Sequence, residues 1–98
     1  MLETFTIETF QPRLGELFYV LVGDQRLPMK LTEVRPWGGG ATEERAREPF
    51  TLTFHTVPQG LIAQGTYPVA NDNLEPFEVF LVPLDPDGRG MRYEAVFA

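Results

Sequence analysis

The only histidine in the chain, His55, is the first candidate for catalytic chemistry. A catalytic histidine requires an orienting acid and a nucleophile. The spacing of the sequence identifies no such partners. The alternating run around His55 instead places it on the outward face of a strand, beside Thr53. We therefore interpret His55 as a structural residue.

Three carboxylates in predicted strands, Glu33, Glu78 and Glu94, suggest a second kind of chemistry. A hydrolase with paired carboxylates needs both groups to converge in one cleft. Exposed charges commonly pair across neighbouring strands. We therefore expect these carboxylates to face solvent beside Arg35 or Arg92. No catalytic residue is predicted, and the chain is interpreted as a non-enzymatic domain.

Three loop segments have the composition of ligand sites but lack essential parts. Asp85–Gly88 resembles the start of a calcium loop, but Arg89 follows where further oxygen ligands are needed. Asn71–Asn73 has the residue types of a plain turn. Gly38–Gly40 lacks the Lys-Ser/Thr of a phosphate-binding loop and is interpreted as a flexible hinge. The sequence thus predicts no metal site and no cofactor.

The composition excludes several classes of partner. The formal net charge is −6, from 14 acidic and 8 basic residues, and the basic residues are scattered, so we expect no nucleic-acid binding. No apolar run is long enough to cross a bilayer, so we expect no membrane partner. The N-terminus has no signal-peptide pattern, which predicts a cytoplasmic protein. With no cysteine, disulfides and thiolate metal sites are excluded.

The clearest structural signal is a pair of C-terminal strands. Phe77–Val82 is apolar on both faces, which predicts a strand sandwiched between two layers. Arg92–Phe97 places its aromatic residues on one face and more polar residues on the other. Pro and Gly residues between the two runs predict a hairpin with a loop of several residues.

Upstream of this hairpin, further alternating runs predict five strands. They are Phe5–Glu8, Leu17–Val22, Leu27–Arg35, Phe50–His55 and Thr66–Val69. Pro12 and Gly15 predict one helical turn, with Leu14 anchored in the core. In the third run, Pro28 and Lys30 suit an edge strand or a strand with one solvated side.

These elements predict a single domain over residues 1–98, with a flexible loop at 36–49. Six to seven short strands with regular turn signals are typical of barrels and sandwiches. Since no helix is long enough to cover a sheet, the sheet must close on itself. We therefore predict an all-β fold, a small antiparallel barrel that is closed or partly open. A two-sheet β-sandwich is the alternative.

Three aromatic residues are candidate interaction residues: Trp37, Tyr67 and Tyr19. Trp37 lies in a Gly/Pro-rich loop and is interpreted either as a docking anchor or as a lid over the barrel end. Tyr67 is expected to pack in the core. The main hypothesis is a protein-interaction or assembly domain with a protein partner or a second copy. The alternative is a small-ligand-binding barrel with the three aromatic residues at its mouth.

Several segments together resemble a family of small uncharacterised bacterial proteins. The resemblance is carried by Gln64-Gly65-Thr66-Tyr67, Phe80-Leu81-Val82-Pro83 and Tyr93-Glu94-Ala95-Val96-Phe97. It implies no catalytic residue and no cofactor. Members of that family are often encoded near phage tail-collar-like proteins, so the resemblance implies a link to tail-like or surface assemblies.

Overall fold

The computed structural model describes residues 5–37, 49–56, 62–84 and 91–97. Six strands form a closed antiparallel barrel in the order β1-β2-β3-β6-β5-β4, preceded by a short helix and a 3-10 turn. The prediction of a small all-β barrel with one short helical element is confirmed. The elements are α1 (Ile7–Phe10), the 3-10 turn (Gln11–Arg13), β1 (Leu17–Val22), β2 (Gln25–Pro36), β3 (Phe50–His55), β4 (Gly65–Asn71), β5 (Leu74–Pro83) and β6 (Arg92–Phe97).

The barrel interior is filled by alternate side chains of every strand together with α1. The phenylalanine rings dominate one end, where Phe50 and Phe97 stack with their centroids 4.8 Å apart. Phe10 of α1 is fully buried, with ring centroids 5.4 Å from Phe97 and 5.8 Å from Phe50. The short helix therefore closes this end of the barrel.

The prediction of a strand at Phe5–Glu8 is wrong, because Ile7–Phe10 is helical. The backbone N–H of Thr6 donates to Oγ1 of Thr9 over 3.0 Å, which stabilises the start of the helix. Ile7 and Phe10 lie three residues apart and are both buried, as one face of a helix requires. Four residues are too few for sequence alternation to distinguish the two periods.

The prediction that Leu14 anchors the core is also wrong, since Leu14 is exposed. The predicted turn does form, and it ends at Gly15, whose φ is +88°. The backbone after it is fastened to β2: the N–H of Gly15 donates to the carbonyl of Leu31, and the N–H of Leu31 donates to that of Glu16. Phe10 takes the place in the core that was expected for Leu14.

Two predictions about strand environments need correction. β5 does not lie between two layers, because Phe80 is exposed while Val79 and Leu81 are buried. A closed barrel has one interior, so an apolar outer face stays on the surface. β2 is not an edge strand, since it pairs with β1 through Lys30 and with β3 from Lys30 onward. The prediction of a solvated side holds, because Pro28 and Lys30 are exposed.

The strand ladders differ in length around the barrel. β3 pairs with β6 through six residue pairs, whereas β1 and β4 share two and β5 and β6 share three. The β4–β5 hairpin is thus joined to the other four strands by two short ladders. The flexible loop predicted at 36–49 falls mainly on residues 38–48, outside the described residues, as do the Gly38–Gly40 and Asp85–Gly88 segments.

Candidate interaction surface

Trp37, directly after β2, lies on the outer surface of the barrel and is 54% exposed. Its backbone N–H donates to the carbonyl of Pro49 over 3.0 Å. Its indole Nε1–H donates to Oγ1 of Thr51, on the outer face of β3, over 2.8 Å. The ring therefore lies against the outer face and does not close the barrel end, which Phe10 fills.

Two more exposed apolar side chains lie on the outer face of the barrel, next to Thr51. Val96 of β6 is the direct partner of Thr51 in the β3–β6 ladder. The β5–β6 ladder pairs Leu81 with Ala95, and one further step in that register places Phe80 beside Val96. Phe80 is 48% exposed and Val96 is 46% exposed. We call Trp37, Val96 and Phe80 the outer apolar row.

Beneath the row, the outward-facing polar side chains of β3 are buried and hydrogen-bonded. Thr51 accepts the indole N–H of Trp37, and Oγ1 of Thr53 donates to Oε1 of Glu33 over 3.3 Å. Thr51 and Thr53 are 4% and 7% exposed. β2 has a β-bulge between Leu31 and Glu33, next to Thr53. The outer apolar row therefore lies over two buried threonine hydroxyls that are both hydrogen-bonded.

The charges around the row are mainly acidic. Glu33 and Glu78 are exposed, and the carboxylate of Glu94 lies 3.7 Å from the guanidinium of Arg35, one of its two predicted partners, although this pair reaches across β3 and does not join neighbouring strands. Glu94 lies opposite Val82, four residues along β5 from Glu78. At about 3.3 Å per residue, the two carboxylates are roughly 13 Å apart along the strand and do not converge.

Tyr67 and Tyr19 do not belong to this surface. Tyr67 faces the barrel interior, packs partly against the core, and donates its hydroxyl to the carbonyl of Ala63 over 2.7 Å. Tyr19 faces outward on β1, with the guanidinium of Arg26 4.3 Å from its ring centroid.

The three candidate aromatic residues therefore do not line one pocket. Tyr19 pairs with Pro28 of β2, which lies nine residues before Trp37. At about 3.3 Å per residue, Tyr19 and Trp37 are therefore separated by about 30 Å along the strand direction. Tyr67 is on the opposite face of the barrel wall from both. Of the three, Trp37 is the one near the exposed Val96 and Phe80, whereas Tyr19 shares its face of β1 with the exposed Leu17.

A shallow cleft of about 380 Å³ lies on the other side of the barrel, between the start of β1 and the β4–β5 turn. Its polar groups bind one another. Oε1 of Glu16 accepts from Nδ2 of Asn71 and from Nδ2 of Asn73, each over 3.2 Å. Nδ2 of Asn71 also donates to the carbonyl of Leu17 over 3.0 Å. We call Glu16, Asn71 and Asn73 the hairpin clamp.

The remaining residues considered for chemistry occupy structural positions. His55 lies opposite Lys30 and Arg92 in its two ladders, so both direct cross-strand neighbours are cationic. Asn71 and Asn73 bracket a tight turn, as predicted, in which the N–H of Asn73 donates to Oδ1 of Asn71 over 2.8 Å. Within the described ranges, no three His, Asp or Glu side chains are grouped to hold a metal ion.

The sequence matches a known protein family. Residues 5–97 match the domain of unknown function DUF6916. The chain belongs to that family. Neither the curated proteins nor the solved structures yield a significant match to this DUF6916 chain. In the part of the chain that the structure describes, no helix is both long and apolar enough to span a membrane.

Sequence reasoning identified Trp37 but missed the two other residues of the row. Phe80 was assigned to a buried layer, and Val96 to the more polar face of its strand. Their adjacency depends on β6 pairing with both β3 and β5, which sequence order does not reveal. The available signal was Phe80 itself, because an apolar outer face on a single-layer barrel must be exposed.

Proposed function

We propose that this domain is a non-enzymatic protein-interaction domain that binds its partner through the outer apolar row. The observation that supports it is the row of three half-exposed apolar side chains across β2, β3, β6 and β5: Trp37 bonds to Thr51 of β3, Val96 is the cross-strand partner of Thr51, and Phe80 follows on β5. Adjoining exposed apolar side chains are a feature of interaction sites, whereas scattered ones are ordinary. Tryptophan is among the residues that most often dominate binding energy.

The arrangement of Trp37 also suits an anchor. Its backbone and its indole are each held by a hydrogen bond, to Pro49 and to Thr51. A side chain held in its binding orientation loses little conformational entropy when a partner covers it. The long ladders of β3 provide a stable base beneath it.

The partner we propose belongs to a tail-like or surface-appendage assembly. This part of the proposal rests on the sequence resemblance described above. That resemblance implies that genes of this family often lie near genes for phage tail-collar-like proteins. It makes the protein encoded beside this chain the first partner to test.

The test is co-expression with that neighbouring protein and measurement of their affinity. The double variant Trp37→Ser, Phe80→Ser should bind at least about tenfold more weakly than the unaltered chain. Leu17→Ser is the matched control, because Leu17 is an equally exposed apolar residue on β1, distant from the row. Its affinity should be unchanged.

Circular dichroism melting curves would verify that all three proteins are folded. Absence of any complex, or equal loss of affinity in the Leu17 control, would contradict the proposal.

A further inference from the structure

The size of the row determines what else a partner must cover. Aromatic side chains bury about 150–250 Å² each, so the half-exposed Trp37 and Phe80, together with the smaller Val96, offer at most roughly 300 Å². A stable, specific interface buries about 800 Å² on each partner. The residues beside the row must therefore be covered as well.

Those neighbouring residues carry a net negative charge. Glu33 on β2, Glu78 on β5 and Glu94 on β6 lie on both sides of the row, and they outnumber the two nearby cations, Arg35, which pairs with Glu94, and Arg92 on β6. The whole chain has a formal net charge of −6. Covering these carboxylates without opposite charges would be unfavourable, since uncompensated charges at an interface oppose binding.

We propose that the outer apolar row binds a basic, apolar segment of another protein, in which Lys or Arg side chains flank apolar ones. This inference rests on the proposed function and specifies its partner. A second copy of the chain is a poor occupant, because it would bring the same carboxylates and the same net charge to the interface.

Two synthetic peptides test the charge preference directly. They share the same apolar residues, and one has Lys where the other has Glu. Trp37 is the only tryptophan, so its fluorescence reports binding at the row without a label. The Lys peptide should shift the emission and bind at least about tenfold more tightly than the Glu peptide. Added salt should reduce this difference.

Charge reversal in the protein provides the matched comparison. Glu33→Lys with Glu78→Lys should abolish the preference for the Lys peptide. Asp24→Lys with Asp72→Lys changes the net charge equally at two exposed turn residues away from the row, and should retain most of the preference.

The outcomes separate the two proposals. Equal binding of the two peptides, with loss of both in a Phe80→Ser, Val96→Ser variant that keeps the Trp37 fluorophore, would overturn the basic partner and leave the interaction surface intact. No emission change with either peptide would count against both. A dimer in sedimentation experiments that the same double variant disrupts would replace the basic partner with a second copy.

Discussion

Two regions of the outer surface use their polar side chains in different ways. Near the outer apolar row, the β3–β6 ladder has six residue pairs, and the hydroxyls of Thr51 and Thr53 lie buried beneath the exposed side chains. At the hairpin clamp, the β1–β4 ladder has only two pairs, and Glu16 and Asn71 bond across the junction. At the long β3–β6 ladder, the hydrogen-bonded hydroxyls lie under apolar side chains that remain exposed. At the short β1–β4 ladder, side-chain hydrogen bonds supplement the few backbone pairs that join the two strands.

The largest effect should follow from removing the strand beneath the row. β6 pairs with β3 and β5, and the hydroxyl of Tyr93 accepts the N–H of Ile62 over 2.7 Å. Deleting residues 93–98 removes three fully or nearly fully buried side chains and opens the barrel. We expect loss of the cooperative thermal transition by circular dichroism. Deleting Ala98 alone is the control, and a normal melting curve for the longer deletion would contradict the importance of this region.

The residues beneath the row were largely predictable from the sequence. Phe50, Leu52 and Phe54 alternate with polar residues, and all three are buried as expected, because alternate side chains of a strand point to the same face, here the barrel interior. The same period predicted the inward face of β6. The prediction succeeded where one face is apolar and the run is at least six residues long.

The surface was less predictable, for physical reasons. The apolar outer face of Phe77–Val82 predicted a second layer, but the barrel leaves Phe80 exposed. The hairpin clamp depends on contacts between residues about 55 positions apart, such as Asn71 with Glu16. Neither local propensity nor alternation contains information on pairings of this range.

An intermediate effect should come from breaking the hairpin clamp. Asn71 is 7% exposed and donates to Glu16 and to the carbonyl of Leu17. Asn71→Ala removes the side-chain donor to the Leu17 carbonyl and one of the two donors to Glu16, so we expect a loss of about 1–3 kcal/mol in unfolding free energy by chemical denaturation. Amide exchange should accelerate at Val20 and Val69, in the short β1–β4 ladder.

Asp72→Ala is the control for the clamp, because Asp72 lies in the same turn but is exposed. Its unfolding free energy should change by no more than about 0.5 kcal/mol. Equal unfolding free energies for Asn71→Ala and Asp72→Ala would mean that backbone pairs alone attach the β4–β5 hairpin to β1. The contrast drawn between the hairpin clamp and the outer apolar row would then be wrong.

The smallest effect on stability should occur at the row itself, where it tests the bond between Trp37 and Thr51. Trp37→Phe keeps an aromatic ring but removes the N–H, and Thr51→Val removes the hydroxyl with little change of shape. In a double-mutant cycle of unfolding free energies, we expect a coupling of about 0.5–1.5 kcal/mol. A coupling near zero would show that the ring is not held in place. It would also remove the preorganisation that makes Trp37 a better anchor than the similarly exposed Leu17, because a side chain that is ordered before its partner arrives loses less conformational entropy on binding.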